Sequence, residues 1–397
     1  MMTKIPAPPS TAHLALPFFD EAHRALARDL LPWCAAQEID EHDDRAACRE
    51  WVRRLGDGGW LRYAVPGSAG GALERLDSRA LVLLRETLGY HSPLADFAFA
   101  MQGLGSGAIT LAGTPEQQSQ YLTAVGNGDK IAAFALSEPD AGSDVAAMAM
   151  RAEPTTDGWL LNGQKTWISN GGIADFYCVF AKTDPTGGTR GITVFIVDAT
   201  TPGLDTSEHI DVMAPHPLAT LRFENCVVPR TAQLGELNGG FKLAMRTLDI
   251  FRASVAAAAL GMGRRALAEA IAHAKGRRMF GQTLADFQLT QAKLGEMAAL
   301  IDSAALLTYR AAWMRDDAEQ RGAAAVGDVS AAAAMAKMCA TENASRVIDM
   351  ALQMHGGLGV KVGTKIESLY RDIRSLRIYE GATEVQQLII GKSVLRG

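Results

Sequence analysis

Leu136–Asp144 reads LSEPDAGSD, and the apolar run before it, Ile131–Leu136, reads as a buried strand. The carboxylates of Glu138 and Asp140 argue against a metal cage, which would want more ligands at regular spacing. Gly142 makes backbone N–H groups accessible, and Ser137 and Ser143 add hydroxyls. Such a loop can hydrogen-bond phosphate or heterocycle oxygens without a side-chain charge. Taken alone, it reads equally as a capped turn.

Farther along, Trp159–Gly172 reads WLLNGQKTWISNGG. Asn162-Gly163 between two β-prone arms predicts a hairpin, because Asn-Gly supplies the positive φ angles of a type I′ turn. That hairpin would present Trp167 and Ser169 on one face. An indole beside a hydroxyl suits a flat heteroaromatic ring: one stacks, the other bonds a ring nitrogen. If Trp167 were ordinary sheet core, it would be buried.

Three compositional zones surround these stretches. A first domain over residues 1–125 is helical in pattern from residue 11, with i, i+3/i+4 apolar spacing at Phe18–Leu31, Asp44–Leu55 and Leu76–Leu88. Residues 126–236 switch to short β-prone runs at Phe176–Phe180, Ile192–Val197 and Leu221–Val228. Residues 237–397 return to Ala-rich amphipathic helices over 240–274, 285–320, 326–354 and 364–391, the third ended by Gly356-Gly357. The fold class expected is α+β multidomain: an N-terminal α-helical domain, a middle β-barrel or sandwich domain, and a C-terminal four-helix bundle.

Composition narrows the function. The 397 residues are long enough for two or three domains, and 48% of them are apolar, as in a soluble globular protein. No run of ~18 uncharged apolar residues occurs, so no membrane-spanning helix is expected. The opening MMTKIPAPPS lacks an apolar signal core and reads as a loose Pro-rich arm. Five scattered cysteines without C-x-x-C spacing suit reduced thiols in a cytoplasm. A net charge of −5 gives no electrostatic footprint for nucleic acid.

Several motifs mislead. Gly103–Ala108 (GLGSGA) and Gly261–Ala266 (GMGRRA) both fit G-x-G-x-x-[GA], but neither follows a strand, and small residues there suit close helix packing. His209 and His216 lack a third ligand at metal spacing and read as loop residues. No metal is expected. No G-x-S-x-G occurs around which a serine triad could form.

At this point the residues resemble the acyl-CoA dehydrogenase family, whose middle domain carries a TEPGAGSD-like loop and a W-I-[ST]-N-G segment on either side of FAD. This chain has Asp140 where the pattern has Gly, and Ser137 where it has Thr. Five further segments match in family order: Leu248–Arg252 (LDIFR), Arg277–Gln288 (RRMFGQTLADFQ), Gln353–Gly359 (QMHGGLG), Tyr370–Asp372 (YRD) and Ile378–Gln387 (IYEGATEVQQ). The resemblance runs from about residue 20 to the end.

The resemblance implies α,β-dehydrogenation of an acyl-CoA thioester. Such chemistry needs a base for the α-proton and an acceptor for the β-hydride, which no side chain can be. Glu380 matches the family's base, followed by Gly381, which lets substrate approach the backbone. The alternative base of some members would fall at Phe251 or Ile250 and is absent. By the same resemblance Leu136, Ser137, Gly142 and Ser143 line the flavin and its diphosphate, Trp167 covers the ring, and Ser169 reaches N5. Arg277, Gln288, Gln353 and Gly357 resemble contacts to the FAD of a neighbouring subunit, an arginine suiting a diphosphate through its fork of donors. Ala382 and Glu384 fall near FAD, with Ala382 replacing the family's usual Thr. Asp249, Phe251 and Arg252 fall near the CoA pantetheine and the active-site wall, joined by Ser143 and Gly381.

A homotetramer, built as a dimer of dimers, and electron transfer to an electron-transferring flavoprotein are implied too. Two alternatives stay open: a same-fold flavin oxidase or monooxygenase using dioxygen, and a non-catalytic acyl-CoA-binding lookalike. Phe97–Gly105 and Phe251 are expected to set acyl-pocket depth, and the absence of Arg from that segment disfavours a dicarboxylyl substrate.

Overall fold

The computed structural model describes residues 10–321 and 327–396; all but the last residue of the Pro-rich arm lies outside them. In chain order the helices α1 (Glu21–Ala35), α2 (Asp44–Asp57), α3 (Ser78–His91) and α4 (Pro93–Ala112) come first, with the short α5 (Pro115–Gln117) and α6 (Thr123–Asn127). Eight strands follow: β1 (Ala132–Ala135), β2 (Arg151–Pro154), β3 (Gly158–Ser169), β4 (Phe176–Lys182), β5 (Ile192–Asp198), β6 (Leu204–Ile210), β7 (Leu218–Pro229) and β8 (Gln233–Leu234). The remainder is α7 (Gly240–Gly276), a small ribbon of β9 (Arg278–Met279) and β10 (Gln282–Thr283), then α8 (Gln288–Arg321), α9 (Val329–His355), α10 (Lys365–Leu376) and α11 (Thr383–Arg396). The architecture is mixed α+β: an N-terminal helical domain, a middle β-sheet domain and a C-terminal helical domain.

Local chemistry explains the helix starts. Asp20 accepts from Ala22 N and His23 N at the head of α1, Asp43 from Arg45 N and Ala46 N at α2, and Asp328 from Ala331 N at α9. Each satisfies donors that the first turn leaves unpaired. Gly356, at φ 60°, stops α9 where the Gly-Gly pair predicted it.

The described residues divide into two compact units: one holds the segments up to Glu38, Ser78–Asp96 and from Arg252 onward, the other Ile39–Asp77 and Phe97–Phe251. In the first, α9 packs against α8, α10 and α11, and α3 packs against α1 and α8. A Cβ at Gly261 would lie 2.1 Å from Glu86 O, so the GMGRRA stretch inside α7 is a packing notch. The second unit carries one eight-stranded sheet in the order β6-β7-β3-β2-β4-β5-β8, with β1 added parallel to β4. Its core joins Phe176, Cys178 and Phe180 of β4 and Val194 of β5 to Ala108, Ile109 and Leu122. GLGSGA lies inside α4, where a Cβ at Gly103 would come within 2.7 Å of the Phe251 ring. Neither glycine motif follows a strand, as expected.

Two expectations are corrected. Asn162-Gly163 does not turn the chain: β3 runs straight through, paired antiparallel with β7 from Gly158↔Pro229 to Ser169↔Leu218. The positive φ of Gly163, 140°, serves a bulge where the register shifts, and a Cβ there would sit 2.8 Å from Met150 Cα. The fourth long helix is also two helices, α10 and α11, broken at Arg377–Ala382 because Glu380 (φ 51°) and Gly381 (φ 92°) leave the right-handed region.

Candidate active site

Glu380 sits in the break between α10 and α11, in the first unit. Both its carboxylate oxygens are buried, and neither has a hydrogen-bond partner among the described residues. Desolvation pushes its pKa up against the cations Arg85, Lys337 and Arg252, while Asp96 adds to the rise. A non-glycine residue at positive φ costs about 1–2 kcal/mol, so the surroundings must hold it.

The holding contacts are visible. Lys337 of α9, wholly buried, donates to Gly381 O at 2.8 Å, and Gln386 Nε2 donates to the same oxygen at 2.9 Å. Glu342, also on α9, accepts from Arg377 Nε at 2.8 Å and Thr383 Oγ1 at 2.7 Å. The hydroxyl at Thr383 thus stands beside the hydroxyl-free Ala382 and is spent on a carboxylate. Behind Glu380, Arg85 pairs with Asp96 through Nε and Nη2 at 2.8 and 2.9 Å and donates to Ser254 Oγ at 3.0 Å, all buried. The sequence reading missed Arg85, Asp96 and Lys337; the signal was a set of lone charges in apolar helical runs. Arg252 is buried on α7, whereas Glu384 is exposed in the first turn of α11.

In the second unit the LSEPDAGSD segment forms a tight turn, with Glu138 and Ala141 exchanging backbone hydrogen bonds at 3.1 Å each way. Glu138 is structural: it accepts from Ala149 N, Met150 N and Lys165 Nζ, the last at 2.7 Å. Lys165 also reaches Leu136 O at 3.1 Å, and Thr166 N donates to Ser137 O at 3.0 Å, so the loop is tied to β3. These bonds fix the exposed Gly142–Ser143 end.

On β3, Trp167 is at φ 58° and 59% exposed, so the sheet-core alternative fails. Its strained backbone coincides with a second register shift between Lys165 and Ile168. Ser169 Oγ lies 3.0 Å from His216 Nε2. His216 does lie in a loop, between β6 and β7, but a tied one: its backbone N–H donates to Asp44, its ring packs on Phe97, and burial pushes its pKa down to about 4. His209, expected in a loop as well, lies instead on β6. Asp249 is half-buried and Phe251 buried against Gly103 and Gly107.

A third group surrounds a concavity of about 580 Å³ in the first unit, lined by Arg277, Gln353 and Gly357 together with His273, Lys293 and His355. Gln288 heads α8 beside the lining residues Leu289 and Thr290 but is not itself part of the wall.

These residues fit FAD, which the resemblance implies. A Cβ at Gly142 would meet nothing within 4 Å, leaving its backbone open to a ligand, and Trp167 offers an exposed aromatic face. The concavity combines two cations with Gly356 and Gly357, where a Cβ would likewise meet nothing. That donor set suits a diphosphate. Among the described residues, no cluster of His, Cys, Asp and Glu could hold a metal, and no helix is long and apolar enough to cross a membrane.

Residues 17–129, 133–226 and 238–395 match the N-terminal, middle and C-terminal domains of acyl-CoA dehydrogenase. The chain is 40% identical to the 3-(aryl)acrylate reductase of Clostridium sporogenes over 96% of its length and 100% of that protein's. It is 36% identical to subunit CarC of the caffeyl-CoA reductase-Etf complex of Acetobacterium woodii, covering 94% and 97%. Among solved structures, butyryl-CoA dehydrogenase from Megasphaera elsdenii superposes with a TM-score of 0.87 at 31% identity, covering 95% and 99%. With all three domains matched in order, the chain belongs to the acyl-CoA dehydrogenase family, whose members are FAD flavoproteins and oxidoreductases.

Proposed function

We propose that the protein oxidises an acyl-CoA thioester across Cα–Cβ to the trans-2-enoyl-CoA, with Glu380 taking the α-proton. The observation that carries this reading is the Glu380 carboxylate, buried and without a hydrogen-bond partner among the described residues. A carboxyl so placed makes no structural contact to repay its desolvation, which is what a group reserved for a substrate proton looks like. Desolvation strengthens it as a base, and Arg85, Lys337 and Arg252 keep its ionised form accessible. FAD, when bound, supplies the acceptor for the β-hydride.

In this reading Leu136, Ser137, Gly142, Ser143, Trp167 and Ser169 hold the flavin, with Ala382 and Glu384 nearby. Arg277, Gln288, Gln353 and Gly357 serve the flavin of a neighbouring subunit in a homotetramer. Ser143, Asp249, Phe251, Arg252 and Gly381 receive the acyl-CoA. An electron-transferring flavoprotein exchanges electrons with the enzyme, a partner suggested by the relative named as part of an Etf complex. The five free cysteines accord with a cytoplasmic enzyme.

The names of the two curated relatives favour a second reading, the same chemistry run as enoyl reduction. Glu380 then donates its proton to Cα, and its raised pKa keeps that proton available nearer neutrality.

Glu380→Gln tests both. The variant keeps shape but neither accepts nor delivers the proton, so FAD and acyl-CoA still bind while anaerobic flavin bleaching by a good acyl-CoA falls ~10²–10⁴-fold. Bleaching within about tenfold of wild type, well short of that contribution, overturns the assignment.

A further inference from the structure

We infer that Lys337 is a positioning residue for the base: it clamps the carbonyl of Gly381 so that the break between α10 and α11 presents Glu380 in one orientation. The inference rests on the reading of Glu380 as the base and adds a residue to it.

Several independent features meet at Lys337. The side chain is wholly buried in the Ala-rich run of α9, where an unpaired ammonium would be costly. A neutral residue would suit the surrounding alanines better, so the cation's presence needs a reason. Its ammonium donates to Gly381 O, 44 residues away in sequence. That carbonyl belongs to the residue immediately after Glu380, and both have positive φ. Without an anchor, the backbone there would relax toward the right-handed region and turn the carboxylate elsewhere. Gln386, on α11, holds the same oxygen from another element. A Cβ at Gly381 would lie 2.4 Å from Gln386 Nε2, so the carbonyl is clamped only because position 381 is glycine.

Lys337 also places a positive charge near a carboxylate that has no hydrogen-bond partner among the described residues. The charged groups facing Glu380 are Arg85 on α3, Arg252 on α7, Lys337 on α9 and Asp96 on α4. Those facing Lys337 are Glu380, Glu342, Arg252 and Glu384. Burial pushes the ammonium down to about 8, and the three carboxylates offset part of that fall. At neutral pH it remains mostly charged. It therefore holds Glu380 below the pKa that burial alone would set.

Lys337→Met removes both anchor and charge. Misaiming a reacting group by about 1 Å costs up to ~10²-fold, so kcat should fall tenfold to a hundredfold with KM little changed. The rising limb of the pH–rate profile should move alkaline by about one unit, since removing a cation raises a carboxyl's pKa. The same shift should appear in flavin-free protein, by infrared titration of the carboxyl band that Glu380→Gln deletes. Gln386→Leu removes the second donor but no charge, so it should lower kcat and leave the limb in place. Should Lys337→Met fail to fold, Lys337→Gln, which keeps a donor for the carbonyl, should show the shifted limb with a smaller loss of kcat. A limb and carboxyl band that superimpose on wild type in the Lys337 variant, with Glu380→Gln inactive, overturn the role of Lys337 alone. An active Glu380→Gln instead overturns the reading on which it rests.

Discussion

Ser169 Oγ and His216 Nε2 lie 3.0 Å apart, a contact between the end of β3 and the loop before β7. The neutral imidazole offers one donor and one acceptor, so its tautomer decides whether the serine proton points to the ring or away from it. If Ser169 reaches flavin N5, Ser169→Ala should retain FAD but alter its visible spectrum. It should also slow reduction about fivefold, the equivalent of one hydrogen bond of ~1 kcal/mol. An unchanged spectrum and rate would remove Ser169 from the site.

The loop and the β character of Trp159–Ser169 were legible in the sequence, but that the two arms form one strand was not. Asn162-Gly163 signals positive φ, which a bulge uses as readily as a turn, and only pairing with β7 decides between them. Glu380 was legible from its motif, yet the helix break around it was not. Ile378-Tyr379-Glu380 has no helix breaker before Gly381, and the strain is held by Lys337, 43 residues upstream of the base. Arg85 and Asp96 went unread as well, since only the fold pairs them away from water.

Arg277 lines the concavity assigned to a neighbouring subunit's FAD. Arg277→Ala should weaken flavin retention and, through linkage, lower the thermal midpoint, with the loss reversed by added FAD. Gel filtration with light scattering and absorbance checks the placement. A flavin-loaded monomer would contradict it.

The buried pair of Lys165 and Glu138 fastens the Leu136–Asp144 loop to β3. Lys165→Met leaves the Glu138 carboxylate without its cation and should cost about 3–5 kcal/mol, as broken buried pairs do. Urea unfolding followed by tryptophan fluorescence would read the loss. A change below about 1 kcal/mol, the range of exposed pairs, would show that the loop does not depend on this tie.

Acid stability should carry the mark of two histidines. His91 and His216 are both pushed down to about 4 from 6.5, each chiefly by burial, and His91 also by the nearby cations Arg265 and Lys365. The folded-state pKa is the lower one, so the unfolded chain takes up these protons first as pH falls. Each histidine therefore costs no stability above about pH 6.5 and progressively more down to about pH 4, up to about 3 kcal/mol. Glu380 acts with the opposite sign: its raised carboxyl binds a proton more readily in the folded state and offsets part of the loss. The half-buried Glu50, held at about 2, contributes only below its ordinary carboxylate range. The window between pH 6.5 and 4.5 thus carries the histidines' cost, less what Glu380 offsets. Urea midpoints measured across it should fall for wild type and fall less for His91→Gln, whose neutral amide cannot take up the proton. His91→Gln is the cleaner variant, because His216 touches Ser169 and its replacement would also disturb the assigned flavin wall. Parallel curves for wild type and His91→Gln would show that His91 titrates alike in the folded and unfolded chains.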